Sequence, residues 1–429
     1  MTHLIQSATL VSDGKAFQSS LVIEGKHIAK ISQQPLNPEY FDHIIQAQGL
    51  LLFPGVIDTH VHLRDPGLTH KGDMASESQA AAAGGVTTML DMPNTLPPTT
   101  SAEALLEKMN IAAEKSRVHI GFYIGATREN AAHLAEINPQ LYCGIKVFLG
   151  ASTGGMLLDS DEPLCKVFQN ARKPVVAHCE DQNLLSAAYA QARNDFAVIG
   201  DAPIALHSRL RSKEACINAA QRAIRLASTY HTRLHIAHVS TSEELSLIAA
   251  APDFITAEVC PTYLLFCEDD YPRLGARIKC NPAVKTAADR TALRQGLADG
   301  SIYTIGTDHA PHRRKEKRGG ALKAASGIPM VQFSLVVMLD LAQQGLLSYP
   351  QVANLMCHHP ADLFGFSDRG YLREGLLADL TLVHPHSPWT LTPNNILSAC
   401  RWSPLEGHTF RHRVVATFVD GKVVYQSLS

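Results

Sequence analysis

The middle of the chain alternates between two hydrophobic patterns. Short apolar runs rich in β-branched residues predict buried strands, and the segments between them place apolar positions at helical spacing. Eight strands are predicted, at 56–63, 86–92, 119–125, 143–149, 174–178, 233–239, 254–259 and 302–307. Eight helices are predicted, at 74–83, 101–115, 128–137, 162–171, 204–230, 242–250, 286–297 and 329–344. Alternation favours a parallel sheet, and eight repeats favour a TIM-like (β/α)8 barrel.

A doubly wound open sheet is the alternative architecture for the same alternation. Its dinucleotide-binding form requires a GxGxxG turn that opens a helix after a strand. None of the predicted helices begins with that motif. The barrel is therefore the favoured architecture for the middle of the chain.

Both ends of the chain have a different pattern, in which short strands are separated by turns. Asp13-Gly14 near the start and Asp420-Gly421 near the end are typical of β-hairpins. The two ends of a domain often lie close together. We therefore expect one small β-sandwich domain built from residues 1–53 and 368–429, with the barrel at 54–367.

Composition excludes several classes of protein. The chain has 429 residues, of which 45% are hydrophobic, and its formal net charge is −2. Such a composition is too apolar for a disordered chain, and the charge gives no footprint for nucleic acid or an anionic membrane. No apolar run approaches the length of a membrane span. The nine cysteines contain no CxxC pair, and the N-terminus has no signal-peptide pattern. A cytoplasmic enzyme is expected.

Histidine is abundant, with 21 residues, and several lie where predicted strands end. His60 and His62 end the first strand, His178 the fifth, His238 the sixth, and Asp308 follows the eighth. Side chains at positions i and i+2 of a strand point to the same face. A lone histidine at a strand end is more often structural. However, all five residues would meet at one barrel rim, where imidazole and carboxylate ligands suit zinc or a related divalent ion.

Lys146 lies on the fourth predicted strand and has two interpretations. As an ammonium it would pair with a carboxylate or a phosphate. Alternatively, burial would favour the neutral amine, which can add carbon dioxide and become an anionic carbamate able to bridge two metal ions. Position alone does not decide between them.

Seven motifs along the chain resemble the amidohydrolase superfamily and, within it, the dihydroorotases. They are DTHVHLRDPG (58–67), DMPNT (91–95), IKVFLG (145–150), AHCED (177–181), IAHVST (236–241), CNPAVK (280–285) and GTDHAPH (306–312). The first and last are the most specific. The resemblance covers nearly the whole chain, including the terminal β domain. One departure is NPAVK, where many relatives have NPPLR.

The resemblance implies a centre of two divalent metal ions, expected to be zinc. His60 and His62 match the ligands of the more buried ion, and His178 and His238 match those of the other. Lys146 matches a bridging lysine that carries a carbamate formed from carbon dioxide. The residues implied in catalysis and substrate binding are Asp308, which also binds metal and shuttles a proton, and Arg64, Asn94, Asn281 and His312.

The implied reaction is the reversible hydrolysis of the cyclic amide of L-dihydroorotate to N-carbamoyl-L-aspartate, a step of pyrimidine biosynthesis. A bridging hydroxide would attack the ring carbonyl, and Asp308 would transfer its proton to the ring nitrogen. Another cyclic amidase, an allantoinase or a hydantoinase, is one alternative, and Arg64 and Asn94 argue against it. A non-catalytic partner of aspartate carbamoyltransferase is the other, although every ligand position is filled. The family also implies a homodimer.

Two loops are expected near the site. The basic segment 312–327 follows the eighth strand and is interpreted as a mobile loop with His312 at its root. The small residues at 151–157, after the fourth strand, are expected to form a second mobile loop.

Overall fold

A computed structural model describes residues 2–150 and 155–427 of the chain. The predicted loop at 151–157 therefore lies largely outside the described residues. The strands of the described ranges are β1 (Thr2–Ser12), β2 (Lys15–Glu24), β3 (His27–Ser32), β4 (His43–Gln46), β5 (Leu51–Pro54), β6 (Val56–Val61), β7 (Val86–Asp91), β8 (His119–Gly125), β9 (Gly144–Phe148), β10 (Val175–His178), β11 (Leu234–Ile236), β12 (Ile255–Val259), β13 (Thr304–Ile305), β14 (Leu380–His384), β15 (Trp389–Thr390), β16 (Thr409–Phe410), β17 (Arg413–Val419) and β18 (Lys422–Gln426).

The helices lie mainly between the strands of the middle region. They are α1 (Met74–Ala83), α2 (Ala102–Lys115), α3 (Asp161–Asn170), α4 (Gln182–Asp195), α5 (His207–Leu210), α6 (Lys213–Tyr230), α7 (Ser242–Ala249), α8 (Pro261–Leu265), α9 (Tyr271–Leu274), α10 (Ala287–Asp299), α11 (Ser334–Gln343), α12 (Tyr349–Ala353) and α13 (His359–Phe364). A π-helical turn, Asn354–His358, joins α12 to α13.

Strands β6 to β13 form a parallel sheet in chain order. Val61 of β6 and His309, just after β13, form a parallel bridge, so the sheet is nearly closed into a barrel. Residues of these strands are buried on both faces because helices cover the outside and side chains fill the inside. Leu363 and Phe364 of α13 pack against apolar residues inside the barrel. The predicted (β/α)8 architecture is confirmed.

The two chain ends form a second sheet, as predicted from their hairpin patterns. Its strand order is β18-β17-β14-β5-β1-β2-β3, and β4 pairs with β1. The hairpins turn at Asp13-Gly14 and Asp420-Gly421, where both residues of each pair have positive φ. Buried side chains from strands of both ends, such as Leu10 and Leu380, share one apolar cluster. The division of the chain at 53/54 and 367/368 stays a prediction.

The helix predicted at 128–137 is wrong. The structure has turns there and a single 3-10 turn, Leu134–Glu136. Thr127 and Asn130 form the reciprocal bonds of a capping box, in which each side chain accepts a hydrogen bond from the other's backbone N–H (2.8 and 3.2 Å), and this arrangement normally opens a helix. The Asn130 side-chain amide also donates to the carbonyl oxygen of Gly125 (2.8 Å). The backbone N–H of Ala131 also reaches the carbonyl oxygen of Thr127 (3.1 Å), but the chain leaves the helical path after this one turn, so the start signal is present and the helix is not continued.

The predicted helix at 204–230 is interrupted, and a helix before it was not predicted. The interruption falls at Arg211 and Ser212, where the Ser212 hydroxyl accepts from the backbone N–H of Ala215 (3.3 Å) and starts α6. The unpredicted helix, α4, starts at Asp181, whose carboxylate accepts from two backbone N–H groups. In the described residues, no helix combines the length and the apolar character needed to cross a membrane.

Candidate metal centre and active site

One cavity of about 470 Å³ opens at the carboxyl ends of the barrel strands. All ten residues that the sequence marked as ligands or substrate contacts line it: His60, His62, Arg64, Asn94, Lys146, His178, His238, Asn281, Asp308 and His312. They come from different strands and loops, and the barrel brings them together because parallel strands end on the same rim.

His60, His62 and Asp308 form the first cluster of potential ligands. The carboxylate Oδ1 of Asp308 lies 3.0 Å from His62 Nε2 and 3.5 Å from His60 Nε2. The other ring nitrogen of His62 lies 2.7 Å from the Asn94 side-chain oxygen. Potential ligand atoms of the three residues lie within 4.8 Å of one another, close enough to share one ion. The i, i+2 prediction for His60 and His62 therefore matches the observed placement.

His178, the last residue of β10, and His238, two residues after β11, form the second cluster of potential ligands. His178 Nδ1 lies 2.9 Å from His238 Nε2, and both residues are buried. His178 Nε2 lies 2.9 Å from the Glu180 carboxylate, which also pairs with Arg211. Burial lowers the pKa of both histidines, so their rings are neutral at pH 7. Neutral imidazole is the form that binds a metal ion.

Lys146 of β9 lies in the floor of the cavity and is completely buried. Its Nζ has no hydrogen-bond partner among the described residues, and it lies 5.2 Å from the centre of the Phe148 ring. Burial lowers the pKa of Lys146 to about 8. The amine is therefore close to the balance between its charged and neutral forms, and among the described residues no carboxylate oxygen lies within ion-pair distance of its Nζ.

Asp308 is ionised at neutral pH. Burial alone would raise its pKa, but the hydrogen bond from His62 and the positive charge of neighbouring groups, including Lys146, lower it overall. The backbone of Asp308 has φ +47°, and His238 (φ +41°) and Arg64 (φ +66°) are also in the left-handed region. Strained backbone of this kind concentrates at functional sites because the surrounding structure holds a side chain in one direction.

Arg64 forms one wall of the cavity and is only 7% exposed. Its Nε donates to the carbonyl oxygen of Pro311 (3.3 Å), and one terminal nitrogen lies 3.3 Å from His312 Nε2. Within the described ranges, no carboxylate lies within ion-pair distance of its guanidinium. Its neighbour Asp65 pairs instead with Lys115 (2.8 Å), so Arg64 is not held in a salt bridge with Asp65.

Four more residues in or near the cavity have contacts that bear on its function. The side-chain oxygen of Asn281 is buried and has no partner among the described residues, so it is free to bind a ligand. Glu258 contacts His60, and Lys71 is one of the residues that line the cavity. Neither residue belongs to one of the seven motifs. His309, which follows Asp308, bonds to Glu77 (2.8 Å) and to backbone N–H groups, so its role is structural.

The donor set fits a binuclear metal centre. Four imidazoles, one carboxylate and one buried amine converge on the same cavity, and the unpartnered Nζ of Lys146 is among them. A site made only of nitrogen and oxygen donors suits zinc, manganese or cobalt. The nine cysteines contribute no ligand to this cavity. Fold and site together define a metal-dependent hydrolase built on a barrel.

Comparison with known proteins gives the particular family. The model of the amidohydrolase family matches residues 51–424. A dihydroorotase of Halobacterium salinarum is 39% identical over 360 residues, which cover 83% of this chain and 82% of that protein. An allantoinase of Bacillus velezensis is 33% identical over 432 residues, covering 99% of this chain and 94% of that one.

A solved structure is also very similar. The L-hydantoinase (dihydropyrimidinase) from Arthrobacter aurescens superposes with a TM-score of 0.93 at 29% identity, covering 99% of this chain and 96% of that one. The chain belongs to the amidohydrolase family. It is a metal-dependent cyclic amide hydrolase.

Proposed function

We propose that the protein is a dihydroorotase, which interconverts L-dihydroorotate and N-carbamoyl-L-aspartate in pyrimidine biosynthesis. The observation that carries this proposal is the buried guanidinium of Arg64, which faces the cavity and contacts a backbone carbonyl and a histidine rather than a carboxylate. A buried charge needs a partner. The carboxylate of dihydroorotate would supply it, in the bidentate geometry that guanidinium favours.

The relatives include enzymes that act on other cyclic amides. The choice among these substrates is therefore expected to depend on the cavity wall that Arg64 forms. Allantoin and hydantoin rings lack the carboxylate that Arg64 would bind. His312 contacts the guanidinium, and Asn94 lines the same cavity. Both would complete a polar pocket for the substrate carboxylate, with Asn281 on the ring amide. This combination favours dihydroorotate over the substrates named for the allantoinase and the hydantoinase.

Two divalent ions, proposed to be zinc, would be held by His60 and His62 on one side and His178 and His238 on the other. When bound, such ions acidify water and polarise the scissile carbonyl. Asp308 would bind one ion, and Lys146 would bridge both as a carbamate. In that modification the lone pair of the neutral amine forms a bond to the carbon of carbon dioxide, and one proton leaves the nitrogen.

Asp308 would act as the proton carrier of the reaction. Its Oδ1 lies beside the proposed ligands His60 and His62 in the cavity, so its carboxylate would be close to a water held by the metal centre. The ionised carboxylate takes the proton from the attacking water and returns it to the ring nitrogen as the C–N bond breaks. Arg64 holds the substrate carboxylate meanwhile and fixes the orientation of the ring.

The test is a substrate panel on purified protein supplied with zinc. We expect the highest kcat/KM for dihydroorotate and N-carbamoyl-L-aspartate, with allantoin, hydantoin and dihydrouracil far below. Turnover of allantoin or hydantoin at a higher kcat/KM than dihydroorotate would contradict the proposal.

Replacing Arg64 tests the carboxylate contact. Arg64→Ala is expected to raise KM for dihydroorotate about 10- to 100-fold, the effect of losing charge-assisted hydrogen bonds, with a smaller change in kcat. The uncharged ring dihydrouracil serves as the internal control, and its slow turnover is expected to stay unchanged in the variant. An equal loss for both substrates would show that Arg64 does not bind the carboxylate.

The carbamate on Lys146 predicts a pH dependence of activation. Only the neutral amine reacts with carbon dioxide, and the pKa of Lys146 is lowered to about 8 by burial. At constant dissolved carbon dioxide, carbamate formation should therefore accelerate about tenfold per pH unit between about pH 6 and pH 8, then level off. The carbamate signal in ¹³C NMR with labelled carbon dioxide measures this rate. A rate that is flat over this range would contradict the assignment.

Two proposals about partners and location come from the resemblance. We propose a homodimer located in the cytoplasm. Light scattering of the purified protein would test the homodimer, and cell fractionation would test the location. Association with aspartate carbamoyltransferase is a further proposal, tested by co-elution of the two purified proteins. No nucleic acid or membrane partner is proposed.

A further inference from the structure

Glu258 is a fully buried carboxylate at the centre of the barrel, on a strand to which no motif drew attention. It lies on β12, and none of its surface is exposed. Its Oε1 is 2.7 Å from His60 Nδ1, and its Oε2 accepts a hydrogen bond from the Thr59 hydroxyl (2.6 Å). Glutamate is rarely buried so completely unless it is paired. The groups that stabilise the Glu258 carboxylate in this buried position therefore have to be identified.

The close partners of Glu258 are not ordinary cations. Besides His60 and Thr59, its Oε1 accepts from the backbone N–H of His238 (3.3 Å), and its Oε2 lies 3.9 Å from His235 Nε2. Across residues 2–150 and 155–427, no lysine or arginine nitrogen lies within 4.0 Å of this carboxylate. Its negative charge thus lies next to the residues that ring the cavity, instead of being neutralised by a salt bridge.

The contact with His60 selects one tautomer of the ring. A carboxylate only accepts hydrogen bonds, so His60 Nδ1 carries the hydrogen and Nε2 keeps its lone pair. That lone pair points toward the cavity, where Nε2 lies 3.5 Å from Asp308 Oδ1. A carboxylate on the far nitrogen of a metal-binding histidine orients the ring and makes it a better ligand.

A glycine leaves the space that this arrangement requires. A Cβ placed on Gly306 would lie 2.2 Å from Glu258 Oε2 and 2.7 Å from the Thr59 hydroxyl oxygen. Neither atom can move away easily, because the two hold each other at 2.6 Å. Gly306 belongs to the motif that also carries Asp308, so this motif contributes room for the pair as well as a carboxylate.

We propose that Glu258 is a positioning residue of the metal centre, which fixes the tautomer and orientation of His60 and raises the affinity of the site for a divalent cation. Thr59 and the gap at Gly306 keep the carboxylate in place. The inference rests on the proposed metal centre, but it does not depend on which cyclic amide is the substrate.

The test compares two buried glutamates by zinc affinity, measured by competition with a chelator. Glu258→Gln keeps the volume and removes the charge, and it is expected to weaken zinc binding about 10- to 100-fold. Glu244→Gln is the matched control. Glu244 is also buried, but it caps α7 through Thr241 (2.9 Å) and contacts no proposed ligand, so zinc affinity should stay at the wild-type value.

Gly306→Ala is the second variant, since it displaces the carboxylate without removing it. We expect it to weaken zinc binding in the same direction, whether or not Glu258→Gln folds. Thermal unfolding of the metal-free proteins reports separately on stability. If both variants lose stability but bind zinc as tightly as the wild type, Glu258 is merely structural and the proposal fails.

An equal loss of zinc affinity in Glu244→Gln would also overturn the proposal, because any buried carboxylate would then have the same effect. Failure of the wild type to bind zinc would overturn the metal centre and this role together. Failure to turn over dihydroorotate would refute only the proposed substrate, since the zinc comparison needs no substrate.

Discussion

Asp308→Ala is expected to lower kcat for dihydroorotate by about 10²- to 10⁴-fold, the usual contribution of a positioned proton-transfer group. The carboxylate Oδ1 lies 3.0 Å from His62 Nε2 and lines the cavity, so a substrate bound there would be within reach of it. Four histidines and Lys146 remain in the variant, so most of the metal should be retained.

Asp308→Asn serves as the control for shape. The amide keeps the volume of the side chain but cannot take up a proton at neutral pH, so it should be about as inactive as the alanine variant. Steady-state kinetics and metal analysis of the same samples measure both effects. Full activity in either variant would refute the proton-carrier role. If the loss of activity were only proportional to the loss of bound metal, Asp308 would be a metal ligand without a role in proton transfer.

Lys146→Ala is expected to lower kcat/KM by more than about 100-fold and to reduce the bound zinc below two ions per chain. The amine has no partner among the described residues, so it is free to become the carbamate that holds the two ions together. Removing it takes away the only proposed ligand shared by both halves of the centre. Atomic absorption on dialysed protein measures the loss.

Lys279→Met is a matched control for this result. Lys279 is also a buried lysine whose pKa is lowered by burial to about 8. However, its Nζ donates to the carbonyl oxygens of Ala321 and Ala324, and it does not line the cavity. The variant should therefore keep its zinc. If Lys146→Ala retained two zinc ions and full activity, Lys146 would not be a bridging ligand.

The fold and most of the site could be predicted from sequence because both depend on local patterns. The period of the hydrophobic residues identifies the barrel strands, and a strand end fixes the rim position of a residue such as His178. The i, i+2 spacing of His60 and His62 similarly puts two rings on one face before any long-range contact is known.

The parts that could not be predicted depend on contacts between distant segments. Glu258 meets His60 across 198 positions of the chain, and only the register of β12 in the closed barrel brings them within 2.7 Å. The signal in the sequence was weak, namely one acidic residue inside a short strand that is mostly buried. The false helix at 128–137 has a different cause, because Thr127 and Asn130 form the bonds that open a helix, but the residues after them form only turns.

The most direct test of the proposed function is turnover of dihydroorotate and zinc content measured on one preparation. We predict two zinc ions per chain and interconversion of dihydroorotate with N-carbamoyl-L-aspartate in both directions. When a chelator removes the zinc, the enzyme activity is expected to disappear with it. A preparation that holds two ions per chain and converts neither compound would contradict the assignment.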